Sequence, residues 1–271
     1  MKTFKEIFEP VLARQKDKFK GKVVIDCPAG NGVTSSLLQN WGAKVLAYDL
    51  FPEFFKVPGL ECKYADATKG LPVADEGADY LVCQEGIEHF SDQLACLKEF
   101  NRTLKVGGGL MITTPNYSNL RGRLSYLLGS SERHSRILPP NEIDSLWLNQ
   151  PDQVTEVYYG HIFLIGIHKL RLLAKLAGFE IVEIHFAYMK LSNLILFPFI
   201  YPFILISSLL NYFRNVRKRP EGKAVYWEVT RLNMSPQILL DGSLIVEFKK
   251  TMSSAEVPRS LVQQGHLSLT T

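Results

Sequence analysis

The run VVIDCPAGNG, residues 23–32, reads as a strand that ends in Asp26 and turns through Gly30 and Gly32. Glycines let a backbone approach a ligand closely, and a carboxylate at a strand tip can accept hydrogen bonds or complement a cation. Asp49 stands just past the second strand-like run, where a ribose diol could donate to it, and Asp66 follows the third. Glu85, Glu88 and His89 share the segment EGIEH, at a spacing that can put all three on one helical face. His161 in YYGHIF and Tyr117 after TTPN are further side chains suited to proton handling or to lining a pocket.

Such groups act together only if the chain brings them to one place. Residues 3–19 space Phe4, Ile7, Phe8, Val11, Leu12 and Phe19 as an amphipathic helix. Apolar and β-branched runs predict strands at 22–27, 43–48, 62–65, 78–83 and 110–114. Helices are expected between them at 33–40 and 92–104, the second closed by Gly107, Gly108 and Gly109. From Pro115 to Gly160 the pattern loosens into a stretch too long for an ordinary connection, expected to form a substrate-side cover. A helix over 168–177 stopped by Gly178, and strands over 179–188 and 242–250, complete the pattern. The alternation predicts an α/β fold, a mainly parallel sheet covered on both faces, with Asp26, Asp49 and Asp66 at the crevice outside its carboxyl ends.

The bulk composition suits one large globular domain or a domain with an insertion: 271 residues, 46% hydrophobic and 21% charged. The net charge of +4 is mild but clustered, with Arg214, Arg217, Lys218, Arg219 and Lys223 inside ten positions. That favours an anionic surface over nucleic acid as partner. Cys27, Cys62, Cys83 and Cys96 form no CxxC pair, so neither a zinc knuckle nor a disulfide scaffold is expected. A reducing cytoplasm is the simpler setting, and the first 22 residues hold no apolar run of signal-peptide length.

With this order of elements, the chain resembles the class I S-adenosylmethionine-dependent methyltransferases, in particular their small-molecule branch, over about residues 20–190 plus the final strand. Asp26 to Gly32 matches the family's D-x-x-x-G-x-G signature, although Pro28-Ala29 replaces the Gly-Cys or Gly-Ser often found there. Asp49 matches the ribose-binding acid and Asp66-Ala67 the adenine-contacting pair. LVCQEGIEHF matches the fourth strand and the substrate-facing loop, and LKEFNRTLKVGGGLMITTPN the following helix and fifth strand. The resemblance implies a Rossmann-like, seven-stranded, mostly parallel sheet with S-adenosylmethionine as cofactor. It assigns cofactor binding to Asp26, Ala29, Gly30, Asn31, Gly32, Asp49, Leu50, Asp66, Ala67, Gln84 and Glu85. A dinucleotide fingerprint fits less well, because Ser35 stands where its third Gly or Ala belongs.

Methyl transfer from a sulfonium is an in-line displacement, so alignment supplies much of the catalysis and a base is needed only where the acceptor holds a proton. His89 and His161 are the candidate bases, with Glu88 and Tyr117 as substrate-side residues. Glu85, Glu88 and His89 also resemble an E-x-x-E-H set that some O-methyltransferases use to hold a divalent metal; the reading taken here is metal-free.

The segment LSNLILFPFIYPFILISSLL, residues 191–210, carries no charge and matches the hydrophobic thickness of a bilayer. A single crossing conflicts with strands at 179–188 and 242–250 lying in one sheet, and two crossings need about forty apolar residues. The expectation is a re-entrant or interfacial hairpin broken near Pro198 and Pro202, with 191–219 meeting the membrane; burial under the cover or in a dimer is the alternative. The domains expected are a 1–190 core, a 191–235 hydrophobic and basic insertion, a last strand within 236–250 and a polar tail at 251–271. The function expected is O-methylation of a lipid-soluble or lipid-linked acceptor by a cytoplasmic, monotopically membrane-associated enzyme. A non-catalytic membrane adaptor retaining the fold is the alternative.

Overall fold

Alternating apolar side chains drive this chain into a two-sided sheet. The computed structural model describes residues 4–132, 138–147 and 158–265. Its first half runs α1 (Phe4–Ala13), β1 (Val23–Asp26), α2 (Val33–Asn40), β2 (Lys44–Asp49), β3 (Cys62–Tyr64), β4 (Ala78–Gln84), α3 (Gln93–Thr103) and β5 (Leu104–Pro115). Then come α4 (Leu120–Gly129), β6 (Leu146–Trp147), β7 (Tyr158–Tyr159), α5 (Ile167–Leu176) and β8 (Phe179–His185). The chain closes with α6 (Leu191–Lys218), α7 (Lys223–Met234), α8 (Pro236–Leu240), β9 (Ser243–Lys250) and α9 (Val257–Gln263).

Seven strands form one sheet in the order β3-β2-β1-β4-β5-β9-β8. The first five are mutually parallel, and β9 inserts antiparallel between β5 and β8. Odd and even positions of the central strands serve opposite faces. Ile25, Leu81 and Cys83 join Leu97 and Phe100 of α3 and Leu170 of α5 in one buried layer. Val24, Tyr80 and Val82 meet Phe8 and Leu12 of α1 and Leu38 of α2 in the other. The fold is therefore the seven-stranded, mostly parallel Rossmann-like sheet expected, with helices inserted before the last strand.

Several elements differ from expectation. The first helix stops at Ala13, and a 3-10 turn over Lys16–Lys18 carries the chain on to the buried Phe19. The Gly107–Gly109 run does not close a helix: it lies inside β5, beside the bulge where its register against β4 shifts. The cover contains α4 and a two-stranded ribbon pairing Leu146 with Tyr159; residues 133–137 and 148–157 of the cover lie outside the described residues. Residues 236–240, expected with the last strand, are the short helix α8, and the tail carries α9, whose Val257 is buried.

The largest correction concerns the apolar stretch. It is one continuous 28-residue helix, with Pro198 and Pro202 inside it rather than at a hairpin turn. Each proline removes a backbone donor, at about 3 kcal/mol in an isolated helix. Packing supplies the compensation: Leu196, Phe197, Ile200, Tyr201 and Ile204 lie against Leu120 of α4 and Leu239 of α8, and the Phe197 and Tyr201 rings stack at 4.4 Å. The return path the sequence required is made by α7 and α8, which bring the chain back to β9.

A buried polar knot joins these helices to the sheet. Asn116, just after β5, donates to the carbonyls of Ile238 (2.8 Å) and Asp241 (3.1 Å), and Asn119 donates to Asp241 (2.9 Å). Asn193 in the first turn of α6 accepts from the Arg121 backbone at 2.9 Å and donates to the Leu240 carbonyl at 3.1 Å. The Asp241 carboxylate in turn accepts backbone N–H groups of Ala187, Tyr188 and Ser243.

Candidate active site

The carboxyl ends of β1, β2 and β4 open onto a cavity of about 210 Å³. A larger concavity of about 730 Å³ runs along β8 beside Arg14, His185 and Arg231. It is remote in the fold from the glycine turn, so the smaller cavity is the one that can serve a cofactor at the strand ends. Asp49 and Leu50 line one wall, Ala65 and Ala67 the next, and Cys27, Pro28, Gly86, His89 and Phe90 the floor and far side. Phe51, Tyr158 and Tyr159 complete it. The Phe51 and Tyr158 rings meet edge to face at 4.7 Å, so the cover ribbon closes over the cavity.

Asp49 is the residue that organises the turn. Its Oδ2 accepts the Gly30 N–H at 2.7 Å and its Oδ1 the Phe51 N–H at 2.9 Å, which leaves lone pairs on both oxygens for a diol. Gly32 caps α2 at φ +88°, a left-handed conformation. The Asn31 side chain accepts from Val33 N at 3.4 Å, and Ala29 N bonds back to the Tyr48 carbonyl at 2.9 Å. The Pro28 departure is accommodated by a partner: a Cβ at residue 86 would lie 2.3 Å from Pro28 Cδ, so the proline ring needs glycine there.

The other two acids do not face the cavity as Asp49 does. Asp26 is wholly buried beneath the turn, where its Oδ2 accepts Ser35 Oγ at 2.6 Å and its Oδ1 has no partner among the described residues. Burial pushes its carboxyl up to about 7, against the lowering effect of Ser35. Asp26 thus ties β1 to α2 and does not line the cavity. Asp66 turns onto its own loop, accepting from Thr68 N (3.0 Å) and Thr68 Oγ1 (2.6 Å) and pairing with Lys69. Burial raises its carboxyl, but these donors outweigh it and hold it below the usual range. Gln84 accepts from Thr34 Oγ1, joining β4 to α2.

Beyond β4 the chain builds an acid–imidazole cluster. Glu85, at φ +45°, accepts from Thr113 Oγ1 at 3.2 Å. Burial and the neighbouring Glu88 push its carboxyl up to about 8; burial likewise raises Glu88, to about 7. Neither Glu88 oxygen has a hydrogen-bond partner among the described residues. His89 Nδ1 lies 2.8 Å from the Tyr159 carbonyl, which can only accept, so Nδ1 carries the proton and Nε2 presents its lone pair. The His161 ring sits 5.3 Å from that of His89. Glu88, His89 and His161 each offer a ligand atom within 4.8 Å of the others, a carboxylate and two imidazoles whose chemistry fits a divalent cation. The metal option drawn from sequence included Glu85; the geometry replaces it with His161. Tyr117 stands apart from the cavity, against Gly166 at the start of α5.

Sequence reasoning missed Cys27, Pro28, Phe51, Ala65, Gly86, Phe90, Tyr158 and Tyr159. Phe51 and Phe90 directly follow motif residues and could have been included; nothing local to Tyr158 or Tyr159 marks them as a roof.

Comparison with known proteins agrees with this geometry. Residues 2–184 match the family model described as a methyltransferase domain. Ubiquinone biosynthesis O-methyltransferases of Xanthomonas oryzae pv. oryzae and Xanthomonas campestris pv. campestris are 32% and 30% identical over 128 residues, 44% of this chain and 53% of each relative. The chain thus matches about half the length of those relatives. Among solved structures, an S-adenosylmethionine-dependent methyltransferase of Methanosarcina mazei superposes with TM-score 0.50 at 16% identity, covering 90% of this chain and 98% of the other. A Listeria monocytogenes structure also described as an S-adenosylmethionine-dependent methyltransferase gives 0.52 at 12% identity, covering 91% and 97%. Those likenesses speak to fold; the family match covers the five parallel strands, the glycine turn and the cluster, and the chain belongs to the methyltransferase-domain family of class I S-adenosylmethionine-dependent methyltransferases.

Proposed function

We propose that this protein transfers the methyl group of S-adenosylmethionine to an oxygen of a lipid-soluble or lipid-linked acceptor, on the cytoplasmic side of a membrane. The observation that carries the reading is the buried knot of Asn116, Asn119, Asn193 and Asp241, which joins the edge of the crevice to the root of an outward-facing apolar helix. The relatives named for ubiquinone biosynthesis act, by that name, at oxygen, which supports the choice of acceptor atom. Four free cysteines, three of them buried, suit a reducing compartment.

In this mechanism the glycine turn and Asp49 hold the nucleoside, with Ala65, Ala67 and Phe90 around the base. The acceptor oxygen approaches the methyl from the His89 side. Bound S-adenosylmethionine would supply an electrophilic sulfonium methyl, so that forming the O–CH3 bond would break S–CH3 and leave that electron pair on sulfur as a neutral thioether. The acceptor proton passes to His89 Nε2, and the Tyr159 carbonyl supports the resulting imidazolium through Nδ1–H. In place of that base role, His89 Nε2 with Glu88 and His161 would hold a divalent cation, which would supply Lewis acidity at the acceptor oxygen.

The test is incubation of the full chain with methyl-labelled S-adenosylmethionine and a bacterial lipid extract, followed by mass spectrometry. Label entering a lipid as an ether or ester methyl is the expected result. Tight cofactor binding with no labelled lipid would refute the acceptor class, and absence of cofactor binding would favour the adaptor.

A further inference from the structure

We infer that α6 docks flat on an anionic leaflet and that the last turn of α4 forms its second point of contact. This rests on the membrane reading above and deepens it by naming the orientation, the lipid charge and a second element.

Leu191, Ile195, Phe199, Phe203, Ile206 and Leu210 follow one another at steps of three and four, a single stripe about 29 Å long on α6. All six are exposed, Phe199 at 70% and Phe203 at 73%. The opposite face is fixed to protein along the same length. Asn193 is bound at one end to Arg121 and Leu240, Ile204 packs at the middle, and Ser208 accepts from Asn233 at 2.8 Å. Near the far end the Tyr212 and Trp227 rings meet at 5.3 Å. A helix held at both ends and the middle cannot leave the domain to cross a bilayer, although its length and hydropathy would suffice for crossing. It can lie in the plane of the surface with its stripe in the acyl region.

The second contact follows from helix geometry. Leu120 of α4 is buried against Ile204. Leu127 lies two turns further along the same face, and it and Leu128 are 78% and 71% exposed. The last turn of α4 therefore projects past the packing contact with its leucines uncovered.

Charge selects the occupant. Arg214, Arg217, Lys218 and Arg219 are exposed at the end of α6, and the helix contains no acidic residue. Packing α6 against α6 of a second copy would bring no carboxylate from that helix to those cations, whereas an anionic leaflet offers counter-charge and apolar phase together.

The experiment is co-flotation of the full chain with phosphatidylcholine vesicles and with vesicles also containing phosphatidylglycerol. Wild type should float with the anionic vesicles. Replacing Arg217→Ser with Lys218→Ser should lower partition about 25-fold, each cation contributing on the order of fivefold. Leu127→Asp with Leu128→Asp, and separately Phe199→Asp with Phe203→Asp, should each cost roughly tenfold or more. Titration with S-adenosylmethionine shows that each variant remains folded. Wild-type flotation of the α4 variant overturns the second contact, and equal partition into neutral vesicles overturns the anionic leaflet. A dimer that is lost in the Phe199/Phe203 variant, with no vesicle binding, gives the face to a second copy. Lipid methylation without vesicle binding refutes this inference alone; vesicle binding without methylation refutes only the reaction.

Discussion

Asp49→Asn tests whether the glycine turn and the cofactor share one organiser. The carboxylate accepts two backbone N–H groups, Gly30 at 2.7 Å and Phe51 at 2.9 Å, on separate oxygens. An amide keeps one oxygen and replaces the other with a donor, so one of those N–H groups faces an NH2 and loses its acceptor. Hydrogen bonds to a charged group contribute about 1.5–3 kcal/mol each. The ribose diol loses an acceptor at the same atom. Affinity for S-adenosylmethionine is therefore expected to fall about ten- to hundredfold. Calorimetric titration measures this loss, and the melting temperature of the cofactor-free protein should fall as well, because the Gly30 and Phe51 bonds exist without ligand. Affinity within about twofold of wild type, with unchanged melting, would remove Asp49 from both roles.

Three further outcomes are expected. His89→Ala should lower kcat by about 10²–10⁴ while leaving S-adenosylmethionine affinity close to wild type; single-turnover rates at saturating cofactor check this, and a rate within about tenfold of wild type would move the base elsewhere. Ser35→Ala leaves the buried Asp26 carboxyl with only the Ser35 backbone N–H and should destabilise the fold by about 1–3 kcal/mol, read from denaturant midpoints at neutral pH. Glu247 is buried, but donors from His185, Lys18 and Gln15 overcome that burial and lower its carboxyl from 4.5 to about 2. Its contribution, on the order of 3 kcal/mol, is present above pH 4.5 and lost as pH falls toward 2. Acid titration of stability should show a shallower decline in Glu247→Gln over that window.

The parallel half of the fold was legible because each strand is a short apolar run between turn residues, and α2 appears at its expected bounds, Val33–Asn40. The glycine turn and Asp49 were legible for the same reason: chemistry and turn sit within a few residues of one another. Asp26 was misplaced because a strand-tip carboxylate looks identical in sequence whether it faces a ligand or, as here, the Ser35 hydroxyl beneath the turn. The roof made by Tyr158 and Tyr159 was illegible, since its meaning arises from contacts distant in sequence, Tyr158 with Phe51 and Tyr159 with His89, the latter 70 positions apart. The unbroken α6 escaped because proline rules describe an isolated helix, and packing against Leu120 and Leu239 overrides them.

The knot around Asp241 has a kinetic implication. With Asn193 of α6 bound to the Leu240 carbonyl, and Asn116 and Asn119 beyond β5 bound to the adjacent Asp241 carbonyl, a protein resting on a bilayer would keep its crevice at a fixed height and tilt. An acceptor confined to that bilayer would then be met by lateral diffusion, so saturation would follow its mole fraction among lipids and not its amount per volume of buffer. Diluting the acceptor with inert lipid should slow turnover, whereas adding water should leave it unchanged.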